Sequence, residues 1–353
     1  EGTFREPVAV ETLGDRVLVL DRAAGTLTVF APTPFGTDIR NAILHYNQGL
    51  YQEAESLWRS VLGRSANFDL AYVGIGKALF GRQDYIGAMR HFQLGYDKRG
   101  YDEAFAEYRK DLLRSQFPWI AAILGAAALL AALLARAFRR SALSARIATA
   151  PGRLPFRFAA FHPFKAFDEV RTENRGRIRE ALLLVLALFV ARILSLGLTG
   201  FLFNDVRIET IRVGREFAIV AGVYLVFVVS NWAVSTLTEG EGRWRDIALV
   251  AAYSLLPMIV STLAVLLLSH GLALREGAFM ALLSGAALWW SAFLLVTGLM
   301  TVHHYTFLKT LASLGLTVAG MAFLLFLGAL VYSLFRQMAV FFGNILTELL
   351  YRI

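Results

Sequence analysis

The sequence predicts a mainly α-helical membrane protein with six transmembrane helices, one a tether and five a bundle, carrying a helical repeat and a partial β-sheet at its N-terminal end. Three observations lead there. Hydrophobic residues fill 57% of the 353 positions and gather into six runs, at about 118–136, 181–203, 217–237, 247–269, 278–302 and 314–335. Several reach the roughly 20 apolar residues that carry a helix across a bilayer. In the segment before them an aromatic and alanine pattern returns after 34 residues, a period typical of stacked helical repeats. At the start, short β-branched runs are divided by Gly-Asp and Ala-Gly turn signals. The chain has no cysteine, which excludes disulfides, thiolate metal sites and a cysteine nucleophile. It begins at Glu1 and shows no secretory leader, so a longer parent chain is expected.

Residues 1–35 hold the runs PVAVETL, RVLVLD and TLTVF, too few strands to bury much core by themselves. Phe4, Pro7, the Gly14-Asp15 turn, Val19, Asp21 and Val29-Phe30 resemble one blade of an NHL-type β-propeller, the last of its set. A stray hairpin is the plainer reading. Over residues 36–115 the period turns helical. Tyr51, Ala54 and Trp58 recur as Tyr85, Ala88 and Phe92, and the pattern resembles a tetratricopeptide repeat, in which small residues let paired helices nest around aromatic plugs. Tyr72, Ile75 and Gly76 fit the same motif, whereas the usual closing proline is replaced by Ala66 and Gly100. The following helix, YDEAFAEYRKDLLR, is expected to cap the stack. Such repeats imply a protein or peptide partner.

Residues 116–136 form the tether and 137–180 a basic linker. Eleven Lys and Arg residues between Arg136 and Arg179 face four acids, while the loop after the second span carries three arginines against three acids. Excess Lys and Arg near span ends marks the cytoplasmic side. The linker is therefore expected in the cytoplasm, and the repeats, sheet and C-terminus outside, in a bacterial cytoplasmic membrane. The linker has no stacking platform for nucleic acid. Its stretch FRFAAFHPFKAF suits a segment lying in the lipid interface, with a partner contact as the other reading.

The block His162-Pro163-Phe164, Phe167-Asp168-Glu169 and Glu173-Asn174-Arg175-Gly176 is followed by Phe203-Asn204, Asn231-Trp232, Ser235-Thr236-Leu237, Gly240-Glu241-Gly242 and Ala252-Tyr253-Ser254-Leu255-Leu256-Pro257. In order and spacing these resemble the Yip membrane domain (Ypt/Rab-interacting-protein family) of bacterial type. The resemblance implies a five-span bundle, here 181–353, with its N-terminal side cytoplasmic. The Asp-Leu-Tyr-Gly-Pro signature of eukaryotic members is absent, so GTPase binding is not carried over.

The polar residues within the apolar runs are the candidate sites. Arg192, near the middle of its run, costs about 2.5–3.5 kcal/mol on insertion scales and should face the bundle interior or water. No acid lies inside the six runs to pair with it, which leaves an anion contact or bonds to backbone carbonyls and a neighbouring Asn or Tyr. Asn231 and Tyr253 complete a candidate intramembrane polar or anion site. Residues Glu239, Gly240, Glu241, Gly242, Arg243 and Arg245 form a hairpin whose glycines suit a tight reversal, with the arginines at headgroups and the acids in water. His303 and His304 lack a third ligand at metal-site spacing, so a boundary pair bonded to loop backbone or headgroups is expected. No nucleophile elbow, phosphate loop or His-Glu-x-x-His motif occurs, and no cofactor is expected. Pro257 should kink its span, and the tail FRQMAVFFGNILTELLYRI should lie on the outer leaflet. The resulting expectation is a non-enzymatic membrane organiser or adaptor. The alternative is an accessory or translocating subunit of a transport system, possibly for carbohydrate, with Arg192, Asn231 and the Pro257 kink lining a polar cavity.

Overall fold

A computed structural model describes residues 4–140, 154–206 and 208–352. The chain divides into two compact units, Glu1–Gly125 and Ala126–Ile353. In the first unit, strands β1 (Pro7–Leu13), β2 (Arg16–Asp21) and β3 (Thr26–Phe30) form an antiparallel sheet in sequence order. Gly14 and Gly25, both at φ +63, make its two reversals. Three strands have no second layer, so Val10, Leu13, Leu27 and Val29 are exposed. Val19 and Asp21 of β2 are the buried exceptions, and Asp21 is the polar one. Its buried carboxylate accepts the backbone N–H groups of Ala24 at 2.9 Å, Arg5 at 2.5 Å and Glu6 at 3.1 Å. Those donors, Ala24 foremost, hold the carboxyl below its usual range.

Five helices follow: α1 (Pro34–Asn47), α2 (Tyr51–Arg64), α3 (Asp69–Gly81), α4 (Tyr85–Leu94) and α5 (Lys98–Arg140). Thr33 caps α1 through Gly36 N–H, with Pro34 in the first turn, and Asp84 caps α4 through Gly87 N–H. Ala54, Trp58, Ala88 and Phe92 are buried. Each ring fills the space left by a glycine. A Cβ on Gly74 would stand 2.3 Å from the Trp58 ring, one on Gly76 2.8 Å from Phe92, and one on Gly81 2.7 Å from Tyr51. Tyr85 packs on Phe80, ring centroids 5.6 Å apart. The segment expected to cap the stack packs on its core through Ala104 and Tyr101 and is the start of α5, which continues through Pro118 for 43 residues. Proline removes one helical bond, and its Ala-, Leu- and Arg-rich flanks favour helix strongly enough to continue.

In the second unit, α6 (Phe156–Phe161) and α7 (Pro163–Thr172) precede α8 (Ile178–Leu198), α9 (Val213–Leu237), α10 (Trp244–Tyr253), α11 (Leu256–Leu268), α12 (Gly277–His303) and α13 (Phe307–Arg352). Among the described residues five stretches are long and apolar enough to cross a membrane: Ile178–Leu198, Val213–Leu237, Trp244–Leu268, Leu274–His303 and Phe307–Ile345. The sixth expected span, 118–136, lies in α5 and falls partly on side chains outside those described. Residues 141–153 of the basic linker also lie outside the described residues.

Two expectations change here and one holds. The aromatic end of the linker is not merely interfacial: Ala166, Phe167 and Val170 of α7 are fully buried in the bundle core with Ile247, Leu249 and Tyr253, although Phe161 and Phe164 stay exposed. The third span does bend beside Pro257, which takes the first turn of α11 after the break at Ser254 and Leu255. The tail does not separate as a surface helix. With no proline after residue 306, α13 runs for 46 unbroken residues, and beyond Leu324 its described residues are exposed.

Candidate functional site

The hairpin between α9 and α10 is held at its tip from below by the end of α12. Glu239 carries the left-handed turn, at φ +56. Gly240 and Gly242 have no positive φ and are needed for a different reason than the reversal. A Cβ on Gly240 would lie 2.3 Å from the Tyr305 hydroxyl and 2.6 Å from His303 Nδ1; one on Gly242 would lie 2.6 Å from His303 Cε1. Backbone and ring therefore meet at a distance that only glycine permits.

That approach starts a chain of buried hydrogen bonds. Gly242 N–H donates to His303 Nδ1 at 3.1 Å. An accepting Nδ1 puts the ring proton on Nε2, which faces Asn231 Oδ1 at 3.4 Å. Asn231 Nδ2 donates to Thr317 Oγ1 at 2.9 Å, and Thr317 passes its proton to Ser313 O at 2.7 Å. Ser230 Oγ donates to Thr317 O at 2.7 Å. All four side chains, His303, Asn231, Thr317 and Ser230, are nearly water-free. The relay joins the hairpin to α12, α9 and α13. Beside it, Tyr305 stacks on His303 with centroids 5.0 Å apart, and its hydroxyl lies 2.6 Å from Thr238 Oγ1. His303 thus bonds loop backbone, while the neighbouring His304 takes the left-handed C-cap of α12 at φ 54.

The hairpin charges turn inward more than expected. Glu241 pairs with Arg171 of α7. Arg243 and Arg245 both reach Asn174 Oδ1 at 3.3 Å, and Arg245 also donates to the carbonyls of Asn174 and Gly176. Their guanidinium groups clasp the α7–α8 loop instead of standing free for headgroups. Asp246 is buried beside them, 3.6 Å from Arg245.

Arg192 has an acidic partner after all. Its Nε donates to Glu216 Oε2 at 2.7 Å, and Arg215 approaches the other carboxylate oxygen at 3.5 Å. The apolar run begins at Phe217, but α9 begins four residues earlier at Val213. Its first turn brings the buried Glu216 beside Arg192 of α8, whose guanidinium is thereby paired although its side chain stays 46% exposed. Tyr253 is fully buried, its hydroxyl 2.8 Å from Glu180 Oε2 and 2.9 Å from the Leu154 carbonyl. The three residues grouped as one polar site therefore stand in three separate contacts. Glu216, Thr317 and Glu180 are their unforeseen partners, and Arg171 and Asn174 are those of the hairpin; the motif block containing Asn174 was the only signal for any of them. Among the described residues no group of three or more His, Cys, Asp or Glu is arranged to hold a metal ion.

A family model, the Yip1 domain, matches residues 157–338, over half of the chain. Neither a curated protein nor a solved structure matches it.

Proposed function

The chain belongs to the Yip1 domain family, and on that premise we propose that this multi-pass membrane protein is a non-enzymatic organiser that gathers a protein partner at the bilayer. One observation carries the reading. Buried polar groups of the bundle bond one span to another, as in Gly242–His303–Asn231–Thr317, which supports a role in holding the spans together. The N-terminal unit supplies the complementary half of the proposal. Its aromatic plugs, repeated at a 34-residue offset, support a tetratricopeptide stack, and the sheet before it an NHL-like blade. On the stack, Ile43, Tyr46, Leu70, Val73 and Lys77 line a groove of about 240 Å³, where a peptide segment of the partner would lie. The Lys and Arg excess supports an extracytoplasmic stack in a bacterial cytoplasmic membrane. The transport alternative needs Arg192, Asn231 and Pro257 around one cavity, and their different partners give it no support.

The absence of native cysteine makes the test direct. Single cysteines at exposed Gln52 and Glu239 are expected to react differently with an impermeant maleimide applied to intact cells, Gln52 outside and Glu239 only after permeabilisation. A photo-crosslinker at Leu70 in the full chain should yield one discrete adduct that is lost with Lys77→Glu. No adduct from Leu70 or Ile43, with full rescue of a deletion strain by a chain lacking residues 36–115, would refute the organiser reading.

A further inference from the structure

Arg192 stands six residues before the end of α8 and Glu216 three residues into α9, about 9 Å and 4.5 Å inside the ends of those spans at 1.5 Å per residue. From either level a snorkelling arginine reaches the headgroup layer. The Glu216 side chain is only 7% exposed, and its carboxylate holds two guanidinium groups, Arg192 Nε at 2.7 Å on one oxygen and Arg215 at 3.5 Å on the other. Two cations on one anion leave the cluster with a net positive charge. Phe217, the residue after Glu216, packs edge to face on Phe189, one turn before Arg192, with centroids 5.3 Å apart. The two rings give the cluster an apolar neighbour on its bilayer side.

This pairing does not use up the arginines. Arg192 is engaged through Nε, and its Nη1–Nη2 edge meets no acceptor among the described residues. Its side chain is 46% exposed and that of Arg215 65%. An arginine within a span ordinarily turns to the bundle interior or to water. Here the exposed neighbours on the two helices are Val190, Val213 and Phe217, the composition of a lipid-facing surface. Lipid tails offer such an edge no acceptor, whereas its paired donors match the oxygens of a phosphate. An uncharged acceptor, such as an ester carbonyl, would leave the net charge of the cluster unmet.

We propose that Arg192 and Arg215, spread by the Glu216 carboxylate between them, form a phosphate site on the membrane face that carries the α8–α9 loop, and that the phosphate is the headgroup of an anionic phospholipid whose chains lie along Phe189 and Phe217. The site stands apart from the partner groove of the N-terminal unit and does not depend on it.

The full chain in an uncharged detergent would be titrated with phosphatidylglycerol and with diacylglycerol of the same acyl chains, and retained lipid counted by native mass spectrometry. Phosphatidylglycerol is expected to bind about ten-fold more tightly, the equivalent of one charge-assisted hydrogen bond. Arg192→Gln should erase most of that preference, and so should Arg215→Gln at the more exposed position. Arg275→Gln, at an exposed arginine just before α12 on the same membrane face, should leave it unchanged. Millimolar inorganic phosphate should not displace the lipid, because it gains nothing from the two rings; displacement would assign the site to a free anion and overturn the lipid reading. Equal retention of the two lipids by the unaltered chain would overturn the proposal, as would a preference that survives both cluster substitutions. A loss with Arg275→Gln as large as with Arg192→Gln would overturn it too, the attraction then belonging to the whole face.

Discussion

In the N-terminal unit the closest approaches set a ring in a glycine gap, Trp58 against Gly74 and Phe92 against Gly76. In the bundle one such close approach sets a glycine backbone against a hydrogen-bonding ring, Gly242 against His303. The geometries are alike and the energetics are not. Helices packed in water gain by removing apolar surface from it. Helices in a bilayer gain little that way, since lipid tails are as apolar as leucine, and rely on close packing and interhelical hydrogen bonds. The stack accordingly buries aromatics, whereas the bundle leaves Leu182, Leu183 and Leu186 exposed and buries Asn231, His303 and Thr317.

The largest expected effect lies in the stack. Trp58→Ala should cost about 3–5 kcal/mol, the usual range for removing a buried large ring, read as lost hydrogen-exchange protection across α2 and α3. Gly242→Ala forces a methyl into the His303 ring and should cost about 1–3 kcal/mol by overpacking, measured by steric trapping in detergent micelles. Asn231→Leu breaks the relay with similar volume and should cost only about 0.6–1.7 kcal/mol, the span of measured membrane hydrogen bonds. An Asn231→Leu cost above that of Trp58→Ala would break the comparison, because the relay would then dominate where close packing is expected to. The smallest effect belongs to the exposed sheet. Asp21 has its folded pKa lowered by backbone donors, so its contribution is full above the unfolded value of about 3.9 and fades as pH falls through the lower folded value. Protection of the Glu6 and Ala24 amides, relative to intrinsic exchange at the same pH, should fall on acidification below about pH 4, and Asp21→Asn should flatten that dependence.

Much of this architecture can be read from residue order. Tyr51, Trp58, Tyr85 and Phe92 stand out because a 34-residue recurrence has a packing cause, and the five bundle spans because twenty apolar residues have few other uses. Other features resist for physical reasons. Phe167 and Val170 look like interfacial residues, since apolar side chains facing lipid and apolar side chains facing a core are the same chemistry. Glu216 falls outside a hydropathy run for the very charge that makes it the partner of Arg192. Thr317 is one hydroxyl among many, and nothing local marks it as the one that Asn231 meets. Gly240 and Gly242 suggest a turn, yet the turn is made by Glu239 and the glycines serve a contact with His303 and Tyr305, sixty residues away in the chain.

The length of α13 has a mechanical corollary. Its hydrogen-bonded fastenings to α9 both sit at Thr317, and Gly320 lies against Ser230, all within the first third of a rod about 69 Å long at 1.5 Å per residue. The remainder is the long arm of a lever. A tilt of about 10° at Thr317 sweeps the Arg352 end through roughly 9 Å on the same geometry. Any tilt of α13 about Thr317 would therefore be largest at the end of the chain.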